Sequence, residues 1–81
     1  PKASAKLSYK DKFALENLPK EMEALQAEIK TLETKIADAD FYTQDPGGFA
    51  LAITKLGKAQ EGLSQREERW LELEMLKDEL S

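Results

Sequence analysis

The chain has 81 residues, no cysteine, no histidine and 35% charged residues. A chain of this length forms at most one small domain. When so short a chain folds, it buries only about 60% of the surface that is exposed in the unfolded state. The absent cysteine and histidine exclude disulfides and the usual zinc sites, and they remove the commonest general base. We therefore predict that the chain is not an enzyme and holds no cofactor or metal. It begins at Pro1 without a methionine, and we expect it to be a piece of a longer protein.

The net charge of −4 conceals a gradient along the chain. Residues 1–20 carry +3, because five lysines outweigh two acidic residues, whereas residues 61–81 carry −4. An anion-binding surface would therefore be local. No apolar run approaches the roughly 20 residues that span a bilayer, so we expect no membrane contact.

Proline and a capping residue divide the first part of the chain. Residues 1–6 have no apolar period and are predicted to be the end of a basic linker, followed by a helical domain over residues 7–81. Ser8 is a suitable helix N-cap, and a short helix is predicted over residues 8–18. Pro19 would break that helix, but it suits the first position of a new one.

A coiled-coil pattern follows Pro19 and predicts a second helix over residues 19–39. Its apolar residues are spaced alternately by three and four: Met22, Leu25, Ile29, Leu32 and Ile36. Residues 40–48 concentrate turn formers and are predicted to form a loop, in which Asp45 caps the next helix. Acidic residues near this loop could hold a hard cation, but helix capping is the favoured interpretation.

The adjacent rings of Phe41 and Tyr42 in this predicted loop have two interpretations. They could close the open end of a hairpin, or they could offer a stacking surface to a nucleobase. The first is favoured because Phe49 follows shortly in the sequence.

A third helix is predicted over residues 46–80, where spacings of four and three continue through Ala52, Leu56, Ala59, Leu63, Arg66, Trp70, Leu73, Lys77 and Leu80. Two such stripes joined by a short loop predict an all-α fold: an antiparallel two-helix coiled-coil hairpin. The short N-terminal helix would pack at its base, with Tyr9 and Phe13 against the end of the third helix. Charged residues within the stripe disfavour a long parallel dimer, so we predict a monomer.

Basic residues are the remaining functional candidates. Arg66 and Arg69 are flanked by Glu67 and Glu68 and are expected to be neutralised locally. The lysines could contact a DNA or RNA phosphate backbone, the alternative being ordinary solubilising side chains. The candidates lie near the N-terminus and toward the predicted loop: Lys6, Lys10, Lys12, Lys20, Lys30, Lys35, Lys55 and Lys58.

An ordered set of motifs gives the sequence a family resemblance. KLSYK at residues 6–10, Leu18-Pro19, ADADFY at residues 37–42 and ERWLELE at residues 68–74 occur in this order. Together they resemble the C-terminal coiled-coil domain of ABC-F ATPases, in particular its Uup-like branch. The resemblance covers roughly residues 6–77.

The resemblance implies a parent protein with two ATP-binding cassettes, which would use ATP and Mg²⁺ in the cytoplasm. It implies DNA, including branched DNA, or the ribosome and its RNA as partners. By the same resemblance, Lys6, Lys10 and Lys12 are the best phosphate-contact candidates, and Tyr9 and Trp70 are architectural, like Pro19. The alternative function is a structural or protein-interaction coil that packs on the ATPase cassettes of its own chain or on another protein.

Overall fold

Three helices make up residues 7–80, the part of the chain that the computed structural model describes. α1 spans Tyr9–Ile36, α2 spans Ala39–Gln44 and α3 spans Pro46–Leu80. These residues include no strand, and α1 and α3 lie antiparallel with α2 at their connection. The predicted all-α hairpin is confirmed, and the linker predicted over residues 1–6 lies outside the described residues.

α1 continues without interruption through Pro19, so the predicted division into helices over residues 8–18 and 19–39 is wrong. Ser8 does cap the helix, because its hydroxyl accepts a 3.0 Å hydrogen bond from the backbone N–H of Asp11. A proline within a helix loses one hydrogen bond and costs about 3 kcal/mol. Packing of the adjacent Leu18, which is only 7% exposed, against α3 offsets that cost.

The unbroken helix decides which residues at the base of the hairpin face α3. Tyr9 precedes Leu18 by nine residues and Phe13 precedes it by five, so both lie on the opposite side of a helix with about 3.6 residues per turn. Tyr9 is 82% exposed and Phe13 is 57% exposed. The prediction that they pack on the end of α3 is therefore wrong. A separate short helix could rotate to bury them, but a continuous one cannot.

The segment predicted as a loop over residues 40–48 contains the six-residue helix α2. Its first turn is capped by Asp38, whose Oδ1 accepts a 3.0 Å hydrogen bond from the Asp40 N–H. The turn formers Pro46 and Gly47 come only after α2, so they do not prevent the residues before them from forming a short helix. α1 ends correspondingly early, at Ile36 rather than at residue 39.

α3 begins at Pro46, as predicted, and the residue before it caps the helix. The Oδ1 atom of Asp45 accepts a 2.9 Å hydrogen bond from the backbone N–H of Gly48. A Cβ atom on Gly48 would collide with this carboxylate. The glycine therefore leaves room for the capping carboxylate of Asp45.

The two long helices meet along the predicted apolar stripes. Leu25 Cδ1 on α1 lies 3.7 Å from the position of a Cβ at Gly62 on α3. Toward the tip, where α2 lies, the small buried residues of α3 allow close approach; toward the base, a fully packed leucine replaces them. The buried apolar residues among those described are Leu18, Leu32, Ala52, Ala59 and Leu73.

Candidate nucleic-acid interface

The candidate lysines lie on the surface of the hairpin. All those within the described residues are exposed: Lys10, Lys12, Lys20, Lys30, Lys35, Lys55 and Lys58. Lys6 lies outside the described residues. None of these seven lysines forms an ion pair with a carboxylate of residues 7–80.

The arginines, in contrast, form ion pairs across the hairpin. Arg66 Nε lies 2.8 Å from Glu21 Oε1, and Arg69 Nη2 lies 3.1 Å from Asp11 Oδ1. Arg69 also approaches Glu72 at 3.7 Å. The expected local neutralisation by Glu67 and Glu68 is therefore wrong, because the principal carboxylate partners come from α1. These side chains join the two helices.

The ion pair of Asp11 changes the charge of the base. Asp11 lies between Lys10 and Lys12 in the sequence, and its side chain is only 23% exposed. Because its carboxylate is bound to Arg69, the acidic charge lies between the helices, while the two lysines face solvent. The exposed charged side chains of the first turn, Lys10 and Lys12, thus present positive charge outward, and Glu16 is the exposed acidic residue of the next turn. We call Lys10 and Lys12 the base lysines.

Two exposed rings lie beside the base lysines. The centroids of the Tyr9 and Phe13 rings are 6.5 Å apart and their planes differ by 29°, so the rings are stacked along the helix. Sequence reasoning assigned Tyr9 an architectural role and missed this pair. The signal was present in the spacing from Leu18, but reading it required the helix to continue through Pro19.

The second group of lysines surrounds an aromatic cluster at the tip. The rings of Phe41 and Tyr42 meet Phe49 edge to face, with centroids 5.7 Å and 5.1 Å apart. Lys35 Nζ lies 5.4 Å from the centre of the Phe41 ring, and it shares a depression with Lys55. The interpretation of the aromatic residues as a plug is confirmed for the half-buried Phe41 and Phe49, whereas Tyr42 remains 60% exposed.

The lysines therefore form two groups rather than one continuous patch. Lys12 at the base and Lys35 at the tip are separated by 23 residues of α1. At a rise of 1.5 Å per residue this corresponds to about 35 Å. Lys20 lies between the two groups, and Lys30 and Lys58 extend the tip group along their helices.

A groove lies between the helices near the base. It has a volume of about 480 Å³ and is lined by Pro19, Met22, Trp70 and Leu71, with acidic residues at its edge. Trp70 is half-buried, in agreement with its predicted place in the apolar stripe. Leu71, however, is 54% exposed, so the groove presents apolar surface to solvent.

The acidic residues near the tip act as helix caps. Asp38 and Asp45 accept backbone hydrogen bonds at the starts of α2 and α3, as the favoured interpretation predicted. Within residues 7–80, no three acidic side chains lie close enough together to bind a metal. The same residues include no helix with the length and apolar character needed to cross a bilayer.

Comparisons with known proteins place this hairpin among its relatives. The ABC transporter C-terminal domain family matches residues 6–75. The chain is 39% identical over 77 residues to the ATP-binding protein Uup of Escherichia coli strain K12, covering 95% of this chain and 12% of that protein. It is 44% identical over 81 residues to the ATP-binding protein Uup of Caulobacter vibrioides, covering 100% of this chain and 13% of that protein. No solved structure gives a significant match. The chain thus spans about an eighth of the length of these two relatives.

Proposed function

Since the chain belongs to the family of ABC transporter C-terminal domains, we propose that it is the nucleic-acid-binding coiled-coil domain of an ABC-F ATP-binding protein. It binds phosphate backbones and performs no catalysis itself. The ATPase cassettes, with their ATP and Mg²⁺, belong to the rest of the parent protein, which acts in the cytoplasm. The resemblance to the Uup proteins supports this assignment.

The observation that carries the proposal is the contrast between lysine and arginine. Arg66 and Arg69 are held in ion pairs across the hairpin, whereas the seven described candidate lysines are exposed and make no such pair. Free ammonium groups can replace the counterions that surround nucleic acid, and release of those ions drives binding. The net charge of −4 does not oppose this at the base, because residues 1–20, which include Lys10, Lys12 and Lys20, carry a local charge of +3.

The separation of the two lysine groups favours a double-stranded target. Lys10 and Lys35 are 25 residues apart on α1, which places them on nearly the same face and about 38 Å apart, close to one helical turn of B-form DNA at roughly 34 to 36 Å. A hairpin lying along a duplex could therefore reach phosphates one turn apart. Such contacts fix position without reading sequence, so we expect little base specificity. Branched DNA and ribosomal RNA offer the same phosphate chemistry.

Fluorescence anisotropy with a labelled DNA duplex and a labelled four-way junction tests this function. Binding is expected at about 50 mM salt and should weaken steeply as salt increases. Lys10→Glu and Lys12→Glu should each weaken binding and reduce the slope of log affinity against log salt by about one. Lys77→Glu is the matched control, since Lys77 is exposed and outside the candidate set. Absence of binding at low salt, or an equal effect of Lys77→Glu, would contradict the proposal.

The groove at Trp70 favours a second function, docking of the hairpin onto the ATPase cassettes of its own chain or another protein. Trp70 is the only tryptophan of the chain and contributes to the groove lining, so its emission reports on burial there. Addition of the parent protein lacking this domain should shift the emission to shorter wavelength. Leu71→Asp should abolish the shift, whereas Leu51→Asp, at a similarly exposed leucine outside the groove, should retain it.

In either function the domain is proposed to act as a monomer, because each long helix already covers the apolar stripe of the other. Sedimentation equilibrium should give the mass of one chain at all protein concentrations. A mass that rises with concentration would contradict this.

A further inference from the structure

The stacked rings of Tyr9 and Phe13 contribute little to the core of the hairpin. Tyr9 is 82% exposed and Phe13 is 57% exposed, and both lie on the side of α1 that faces away from α3. Among the other aromatic residues, Phe41, Phe49 and Trp70 are each at least half-buried, and Tyr42, which is 60% exposed, packs edge to face on Phe49. The exposed position of the two rings therefore suggests that they contact a binding partner and do not stabilise the fold.

Positive charge flanks this ring pair on both sides. At about 3.6 residues per turn, Lys10 and Lys12 lie to opposite sides of the line that joins Tyr9 and Phe13. The intervening acidic residue, Asp11, points toward α3 and pairs with Arg69. Lys20 follows Phe13 by seven residues and so lies almost in line with the rings, two turns farther along α1.

Exposed rings between lysines are the combination that single-stranded nucleic acid requires. Bases stack on aromatic faces whatever their sequence, while a basic track holds the phosphates. We propose that Tyr9 and Phe13 form a stacking platform for unpaired nucleotides, with Lys10 and Lys12 binding the adjoining phosphates and Lys20 extending the track. This rests on the proposed nucleic-acid function and adds to it a specific place for unpaired bases. Fully paired DNA cannot use the rings, because its bases are stacked on each other.

The positive charge around the rings favours unpaired nucleic acid over a protein as the partner of this surface. An apolar protein surface would bury Tyr9 and Phe13 together with the neighbouring ammonium groups of Lys10 and Lys12, and burying unpaired charge is costly. Phosphates neutralise those charges as the bases cover the rings. Nucleic acid thus satisfies both features of the surface at once.

Anisotropy titrations with a labelled oligothymidine of about 12 nucleotides and a labelled duplex of the same length test the platform. The double variant Tyr9→Ser, Phe13→Ser should bind oligothymidine at least about tenfold more weakly, while its affinity for duplex stays within about twofold. Met75→Ser is the matched control, because Met75 is also a large apolar side chain that is 58% exposed but lies on α3, and it should leave both affinities unchanged. Far-UV circular dichroism should show unchanged helix content in each variant, since the replaced side chains are exposed.

The outcomes separate this proposal from the one on which it rests. If the unaltered chain binds neither probe at low salt, the nucleic-acid function fails, and the platform fails with it. If the chain binds duplex but not oligothymidine, or if the double variant weakens both probes equally or neither, the platform alone is overturned. A selective loss of oligothymidine binding supports both.

Discussion

The base and the tip of the hairpin close the same pair of helices by different means. At the base, Leu18 and Leu73 are packed between the helices, and the two arginine ion pairs hold α1 to α3. At the tip, Ala52 and Ala59 allow the helices to approach closely, and an aromatic cluster covers the connection. In the half near the base, large side chains fill the space between α1 and α3. In the half near the tip, small side chains let the two helices come closer together.

This difference also separates the two surfaces proposed to bind nucleic acid. At the base, the rings of Tyr9 and Phe13 face outward, because the buried Leu18 lies on the opposite side of the continuous α1. At the tip, Phe41 and Phe49 are half-buried in the aromatic cluster, and Lys35 lies over the Phe41 ring. A hairpin of this kind can leave aromatic residues exposed only where its closure does not depend on them.

The largest expected effect is the loss of stability when the packing at the base is disrupted. Leu73 is 1% exposed, and Leu73→Ala should lower the free energy of unfolding by about 2 to 5 kcal/mol, because it leaves a cavity between the helices. Leu32→Ala, toward the tip, should cost less, since Leu32 is 9% exposed. Urea denaturation followed by circular dichroism measures both. Leu71→Ala, at an exposed position, is the control; equal losses at Leu73 and Leu71 would refute the packing described for the base.

Replacing a small buried residue in the half near the tip by a larger one should prevent the close approach of α1 and α3. Ala59 is 5% exposed, and Ala59→Leu should destabilise the hairpin by about 1 to 3 kcal/mol through overpacking. Ala50 lies on the same helix but is exposed, so Ala50→Leu should change the stability by less than about 0.5 kcal/mol. Thermal denaturation of the two variants gives the comparison. If Ala59→Leu stabilises the chain, the helices are not in close contact there.

The smallest expected effect is at two glycines of α3, whose replacement by alanine should change the stability in opposite directions. Gly48→Ala should cost about 1 kcal/mol, because the added Cβ would displace the carboxylate of Asp45 and remove the cap. Gly57 has open space around its Cβ position, so Gly57→Ala should instead stabilise the helix by up to about 1 kcal/mol. Chemical denaturation of both variants should show opposite shifts. Shifts in the same direction would remove the special role of Gly48 at the tip.

Much of the fold could be predicted from local signals. Ser8 and Asp45 are caps because their side chains accept hydrogen bonds from residues three positions ahead, an interaction that the sequence spacing reveals. The start of α3 at Pro46 follows from the same local chemistry. Pro19 was misleading, since its cost to a helix is local but the packing of Leu18 that compensates it is not.

The candidate site was predictable only in part. The candidate lysines could be identified from the sequence, and those within residues 7–80 are indeed exposed. Their division into two groups, and the separation of Lys10 and Lys12 from the charge of Asp11, depend on the partner Arg69, which is 58 residues away in the sequence. No local pattern indicates such a pair.

The sequence by itself determined the helical periodicity, the two apolar stripes and the caps, because each depends on residues within one or two turns of one another. The tertiary structure decided which way Tyr9 and Phe13 face. That direction is set by the burial of Leu18 against α3 and by the continuity of α1 through Pro19. A local penalty at one proline is smaller than the gain from packing a long helix on its partner, and only the assembled hairpin brings the two together.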